Sequence, residues 1–353
     1  MATRIKPSPN NPQKIQLQRI SHVFLRHVDP EKFLTFAKDF GFVEEARDGD
    51  SVYLRGYGED PYCYVVQPST TGEKQFDGGA FLVKSKEDLE KAMKFPGATR
   101  KDLTHLPGGG ELVSLTAPGG GKIHLIWGQE PRAVPEKEPS AQVQHLGPYN
   151  LPFTKDRKGK IVKQQLKVHV LTFEKGEFQR FQAAPAMVHK LGHYGYISDA
   201  FDQDIAFYLD NFNLTPSDIL FEATMPDLDV LTFLHIDLGS EFTDHHSLFM
   251  QRAAPGQKMM MHHCSFEVAD FDTQLIGHQW LADKGYTSVW GVGRHILGSQ
   301  IFDYWKDPSG FKIEHYADGD VVNEKTPTGR QAAGPDTLSI WGPPLPADFI
   351  EAS

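Results

Sequence analysis

Residues 190–198, Lys-Leu-Gly-His-Tyr-Gly-Tyr-Ile-Ser, read as a short strand, and behind them Phe201, Ile205, Tyr208 and Phe212 recur at spacings of four, three and four. That is the period of a helix with one buried face, and Ser198 stands where a cap is expected. The scheme occurs twice. From Arg19, Arg-Ile-Ser-His-Val-Phe-Leu leads into Asp29-Pro30-Glu31, a cap followed by proline at the first helical position, then Phe33, Phe36, Ala37 and Phe40 at helical spacing and Gly41 as a stop. Superposing the two segments aligns His22 with His193.

A second pair matches in the same way. Gly78–Val83 precedes a helix capped by Ser85, and His263–Val268 precedes Asp270 and a helix through about Lys284, so Gly78 falls opposite His263. A third pair sets Ala117-Pro-Gly-Gly-Gly-Lys-Ile-His124 against Asp307-Pro-Ser-Gly-Phe-Lys-Ile-Glu314, each a turn feeding a strand, which aligns His124 with Glu314. The separations lengthen slowly along the chain, as in a duplicated unit that has gathered insertions. Short alternating segments follow the helices: 218–223, 230–238, 247–252, 286–290 and 300–305. Each unit therefore reads as one strand, one helix and about three more strands, with four units arranged two per domain, and the predicted class is α+β. The expected boundaries are 15–130 and 186–322 for the two domains. Between them, 131–185 reads as linker and insertion carrying a strand-like piece at 166–173, and 323–353 as an extended tail.

The 353 residues carry 36 basic and 46 acidic side chains, a formal charge of −10, which argues against neutralising phosphates as the protein's main work. Nucleic acid is not an expected partner. Neither a signal peptide nor an uncharged run near the roughly 20 residues of a membrane helix is apparent, so a soluble cytoplasmic protein without membrane partners is expected. Two cysteines, Cys63 and Cys264, lie in apolar runs and read as reduced, buried thiols.

The chemistry is expected in the second domain. His193, His263 and Glu314 occupy corresponding places in the repeat, and two neutral imidazoles with one carboxylate suit Fe(II) with neighbouring coordination positions left open. The first domain holds His22, Gly78 and His124 there, and loss of the middle ligand and the carboxylate predicts no site.

With these residues in place, the chain resembles the type I extradiol ring-cleaving dioxygenases of the vicinal oxygen chelate (glyoxalase/bleomycin resistance/dioxygenase) superfamily, the catechol 2,3-dioxygenase kind. The resemblance covers most of 15–320 and is most specific at Gly293-Arg-His295, Tyr304, Asp307-Pro-Ser-Gly310 and Glu314, with Asp303 departing from the family's usual apolar residue. It implies two tandem domains, each a pair of βαβββ modules forming an open mixed-sheet barrel. It also implies an oxidoreductase that puts both atoms of O2 into a catechol ring beside the diol, in an assembly of several subunits. The implied metal is Fe(II), with Mn(II) as the alternative, on His193, His263 and Glu314. His295 resembles the residue that hydrogen-bonds bound catecholate, and Tyr304 the tyrosine beside the same oxygen. In Asp244–Met250, His245 is the better match to the acid/base histidine and His246 the alternative one residue out of phase. Strand alternation would let only one of these two reach the pocket, and would likewise send His262 to the face opposite His263.

Two other readings share the fold: a glyoxalase-like lyase or isomerase using zinc or nickel, usually with a second carboxylate ligand, and a binding module without metal chemistry. Other motifs fail. Pro118–Lys122 lacks the leading glycine and trailing Ser/Thr of a phosphate loop, and Gly291–Gly298 lacks the third glycine of a dinucleotide fingerprint.

Overall fold

The computed structural model describes residues 3–134, 160–164, 171–174 and 181–350. The first half runs β1 (Leu17–His27), α1 (Pro30–Phe40), β2 (Val43–Asp48), β3 (Ser51–Arg55), β4 (Tyr64–Pro68), β5 (Gln75–Val83), α2 (Lys86–Ala92), β6 (Thr99–Asp102), β7 (Glu111–Thr116) and β8 (Lys122–Trp127). Two short paired strands follow, β9 (Lys160–Gln164) and β10 (Leu171–Glu174). Of the strand-like piece expected at 166–173, positions 166–170 lie outside the described residues. The second half runs β11 (Leu191–Ser198), α3 (Phe201–Asn211), β12 (Leu214–Phe221), β13 (Asp229–Ile236), β14 (Thr243–Asp244), β15 (Leu248–Arg252), β16 (Met260–Glu267), α4 (Phe271–Asp283), β17 (Thr287–His295), β18 (Ile301–Lys306) and β19 (Lys312–Ala317). The tail adds β20 (Val321–Val322), β21 (Gly329–Ala332), β22 (Ser339–Trp341) and the short α5 (Ala347–Ile350).

The fold is α+β, and the duplication is plain in the sheets. The first has the order β2-β3-β4-β1-β5-β8-β7-β6, and the second has β12-β13-β15-β11-β16-β19-β18-β17 with β21 and β22 added at its two edges. In every βαβββ module the first strand pairs parallel to the last, and the two modules of each sheet meet through antiparallel first strands, β1 with β5 and β11 with β16. No helix among the described residues is long and apolar enough to cross a membrane.

Local chemistry sets the helix limits. Asp29 accepts a hydrogen bond from the backbone N–H of Lys32 at 3.0 Å, and Gly41 ends α1 at φ 105°, a conformation that disfavours any side chain. Asp270 caps α4 through Thr273 N at 2.8 Å. The predicted cap of α3 is corrected: the helix starts from Ala200 without a side-chain cap, while Ser198 donates to the buried Asp204 at 2.6 Å. Cys63 and Cys264 are buried and unpaired with one another.

One apolar core runs through both halves, from Phe33, Phe40 and Phe81 to Tyr194, Tyr208 and Phe266. Polar contacts pin the halves as well. Asn213 bonds both backbone groups of Leu17, at 2.7 and 3.0 Å. The 307–310 turn reaches across to His27, whose Nδ1 meets Ser309 Oγ at 2.9 Å and whose Nε2 meets Tyr64 OH at 2.9 Å. Asp307 Oδ1 accepts the backbone N–H groups of Ser309 and Phe311, but its buried Oδ2 has no hydrogen-bond partner and burial raises the carboxyl to about 7.

A carboxyl raised in the folded state stabilises it while protonated. The contribution is complete below the unfolded value near 4 and is lost as pH rises through about 7. Wild type should therefore lose about 3 kcal/mol relative to Asp307→Asn between pH 4.5 and 8, read from denaturant unfolding at several pH values. A difference that stays flat across that range would show that the carboxyl ionises normally.

Candidate metal centre and its cavity

Sheet register assembles the site. His193 on β11 lies opposite Ser265 on β16, Ser265 lies beside Glu314 on β19, and Glu314 lies opposite Tyr304 on β18, so one row across four strands carries His193, Glu314 and Tyr304 on a single face. His263, two residues before Ser265, shares that face. The Nε2 atoms of His193 and His263 are 3.1 Å apart, and each lies 3.4 Å from Glu314 Oε2. Three donors held about 2.1 Å from one cation would stand roughly 3.0–3.5 Å apart, which is the spacing found.

The donor set fits a cation on two further grounds. Glu314 is fully buried and neither of its oxygens has a hydrogen-bond partner. Burial alone would raise its carboxyl, and it is held below the usual carboxylate range only where an N–H or positive charge on the side of His193 and His263 faces it. Burial lowers His263 to about 4, so its imidazole is neutral near pH 7 and has a lone pair to offer. With Nε2 turned toward the triangle, His263 carries its proton on Nδ1, where Nδ1 of His262 lies 2.8 Å away to accept it.

In the first half the equivalent row is closed. Gly78 takes the place of His263 at φ 101°, and a Cβ there would stand 2.3 Å from the Lys122 carbonyl. His124 has both nitrogens engaged, Nδ1 with Ser114 Oγ at 2.7 Å and Nε2 with the Asp77 carbonyl at 2.6 Å. Among the described residues, His193, His263 and Glu314 are the one cluster able to hold a metal ion.

A cavity of about 1020 Å3 opens above the triangle. His295 lines it, with Nδ1 donating to the Leu338 carbonyl at 2.7 Å and Nε2 facing Tyr304 OH at 2.9 Å. Burial lowers the His295 imidazole and raises the Tyr304 phenol well above its ordinary value. The Tyr304 ring sits 5.1 Å from that of His263.

One expectation from the resemblance and one from alternation fail here. His246, not His245, lines the cavity, with its ring 4.0 Å from that of His193, and burial among the neighbouring imidazoles pushes it well below its ordinary value. His245 turns away, with Nε2 2.8 Å from Asp218 and Nδ1 3.0 Å from Nδ1 of His246. Only one of the two reaches the cavity, as alternation requires, but β15 begins only at Leu248, so no ladder fixes which of them it is. His262, expected on the far face, lines the cavity next to His263. On β16, His263 pairs with Gly195 and Met261 with Tyr196, so His262 is the extra residue of a bulge. Asp303, the departure from the family pattern, points away from the cavity and is paired beneath α4 with His278 at 2.9 Å and Trp305 Nε1 at 2.8 Å.

The tail was missed as a source of site residues. Leu338, Leu345 and Phe349 wall the cavity, and Phe349 packs 4.7 Å from the Tyr304 ring and hydrogen-bonds His262 through its carbonyl. Its only sequence signal was a few apolar residues in a proline-rich run.

Comparison with known proteins agrees with this geometry. Residues 190–315 match the Glyoxalase/Bleomycin resistance protein/Dioxygenase superfamily model. Metapyrocatechase 2 of Cupriavidus necator is 33% identical over 179 residues, 50% of this chain and 52% of that protein, so the match spans about half the length of this curated relative. Among solved structures, a Mn(II)-bound glyoxalase from Novosphingobium aromaticivorans superposes with TM-score 0.70 at 17% identity, covering 96% of this chain and 95% of that one. Homoprotocatechuate 2,3-dioxygenase from Brevibacterium fuscum, complexed with 3,4-dihydroxyphenylacetate, superposes with TM-score 0.71 at 15% identity, covering 99% and 95%. The stretch that carries the His-His-Glu cluster, 190–315, is thus the part similar in sequence to the Glyoxalase/Bleomycin resistance protein/Dioxygenase superfamily, and the chain as a whole shares the fold of these solved structures.

Proposed function

We propose that the protein is an extradiol dioxygenase that opens the ring of a catechol beside its diol, using Fe(II), or alternatively Mn(II), held by His193, His263 and Glu314. The observation that carries this reading is the sharing of one cavity by His193 and His263 of the buried His-His-Glu triangle, His246 and the His295–Tyr304 pair. The likeness to Metapyrocatechase 2 points the same way. A glyoxalase-like lyase is less well supported, because no second carboxylate joins the cluster among the described residues.

A bound Fe(II) would supply Lewis acidity toward the catechol hydroxyls and a redox route between the diol and dioxygen. The chain's own groups handle orientation and protons. His295 donates from Nδ1 to Leu338, so Nε2 is its acceptor. Together with Tyr304 OH it forms a hydrogen-bonding edge that can orient one substrate oxygen and take up its proton. His246, kept neutral by burial beside His193, can hold and return a second proton. The apolar walls limit water at the reacting carbons. Catechol plus O2 gives a muconic semialdehyde-type product with atoms balanced and no added reductant. The expected partners are thus two small molecules, and the reading carries with it a cytoplasmic homo-oligomer.

Anaerobic loading with Fe(II), followed by catechol and air, should give one O2 consumed per catechol and a yellow product. Metal analysis should find about one ion per chain, lost in Glu314→Ala and retained in His22→Ala and His124→Ala. Iron kept at full stoichiometry in Glu314→Ala would sink the ligand assignment.

Roles within the cavity separate in a second set of variants. His246→Asn, His295→Phe and Tyr304→Phe should keep the metal and lose about a hundredfold or more in turnover, whereas His245→Asn should lose less than about tenfold. Single-turnover kinetics with the reverse order for the two adjacent histidines would return the acid/base role to His245.

A further inference from the structure

We infer that this site takes catechols carrying a large apolar substituent, such as a second ring, and discriminates against carboxylated catechols. The inference rests on the ring-cleaving reading and adds the substrate class to it. Size is the first argument. A cavity of about 150 Å3 is enough to hold benzene, and this one measures about 1020 Å3, at the upper end for small-molecule sites. A bare catechol on the His-His-Glu cluster would leave most of it to water against apolar walls.

The walls are the second argument. Away from the histidines, the cavity is bounded by Leu220, Leu228, Leu231 and Phe233 from β12, β13 and their connection, and by Leu338 and Leu345 from the tail. Each apolar atom of a substituent placed there would replace water at a hydrocarbon surface.

Charge is the third. Beyond the metal cluster and its histidines, the ionic side chains on the lining among the described residues are Arg252 and Glu222. Arg252 is committed: its guanidinium holds Asp202 at 2.6 and 2.9 Å, donates to the Asp229 carbonyl at 3.0 Å and lies 4.5 Å over the Phe201 ring. Glu222 is an anion, occupied with Thr224. Among the described residues a substrate carboxylate would find no uncommitted cation on the lining, only neutral donors such as Gln251 and Gln300, and it would meet a like charge.

The test is anaerobic titration calorimetry on the Fe(II)-loaded protein with catechol, 3- and 4-phenylcatechol, and 3,4-dihydroxyphenylacetate, followed by kcat/KM for each in air. The better phenylcatechol should bind at least about tenfold more tightly than catechol, and the acid at least about tenfold more weakly. Leu231→Arg should shift the phenylcatechol-to-acid preference by about tenfold or more toward the acid. Leu228→Arg, at a half-exposed position, should do the same if the first variant fails to fold. Phenylcatechol within twofold of catechol, an acid that binds as well as catechol, or no catechol binding at all would overturn the inference. The expected binding order without any ring cleavage would uphold the cavity's preference and overturn the dioxygenase reading instead. Cleavage of catechol with a flat order would do the opposite.

Discussion

The structure turns on one buried charge. Glu314 is completely enclosed, both of its oxygens lack a hydrogen-bond partner, and the groups nearest it are two imidazoles. An isolated carboxylate in such a place costs several kcal/mol, and a protein cannot hold one without compensation. Protonated imidazoles could compensate it, but burial works against charging His263. A cation shared by all three would resolve the conflict, because it would meet the carboxylate's charge and the imidazoles' lone pairs at once.

That requirement makes sense of the unequal halves. Both sheets build the same row across the first and last strands of two modules, so the geometry for a site was available twice. In the first half the row reads His22, Ala80, His124 and Ser114, with Gly78 where the second imidazole would stand. No buried carboxylate needs a counter-charge there, and His124 is satisfied by Ser114 and a backbone carbonyl. The first half contributes packing instead, through a core continuous with the second and through Asn213 and the 307–310 turn at the junction.

Much of this was legible in the sequence because duplication converts weak signals into aligned ones. The four modules, the helix starts at Asp29, Ser85 and Asp270, and the grouping of His193, His263 and Glu314 all follow from matching places in the repeat. Failures fell where the backbone leaves its regular period. The resemblance assigned His245 to the cavity and alternation sent His262 away from it, but 245–247 precede the ladder of β15 and His262 sits in a bulge of β16. Neither irregularity leaves a mark in residue type. The tail was illegible for another reason: Leu338 acts through its backbone carbonyl, which any residue supplies, and Phe349 through a fold-dependent contact with Tyr304.

The tail's contribution changes which segments make up the candidate site. His295 could place its proton on either nitrogen, and the Leu338 carbonyl at 2.7 Å selects Nδ1, which leaves Nε2 to face Tyr304. His262 faces the same choice, and its hydrogen bond with the Phe349 carbonyl leaves Nδ1 to meet His263. Two carbonyls from the same segment thus set the proton positions of one histidine beside Tyr304 and of another behind His263. The strands place the imidazoles. Which nitrogen each presents is decided by a segment that reaches the cavity only after the last strand of the repeat is complete, so the site's proton inventory and its apolar wall come from the same stretch of chain.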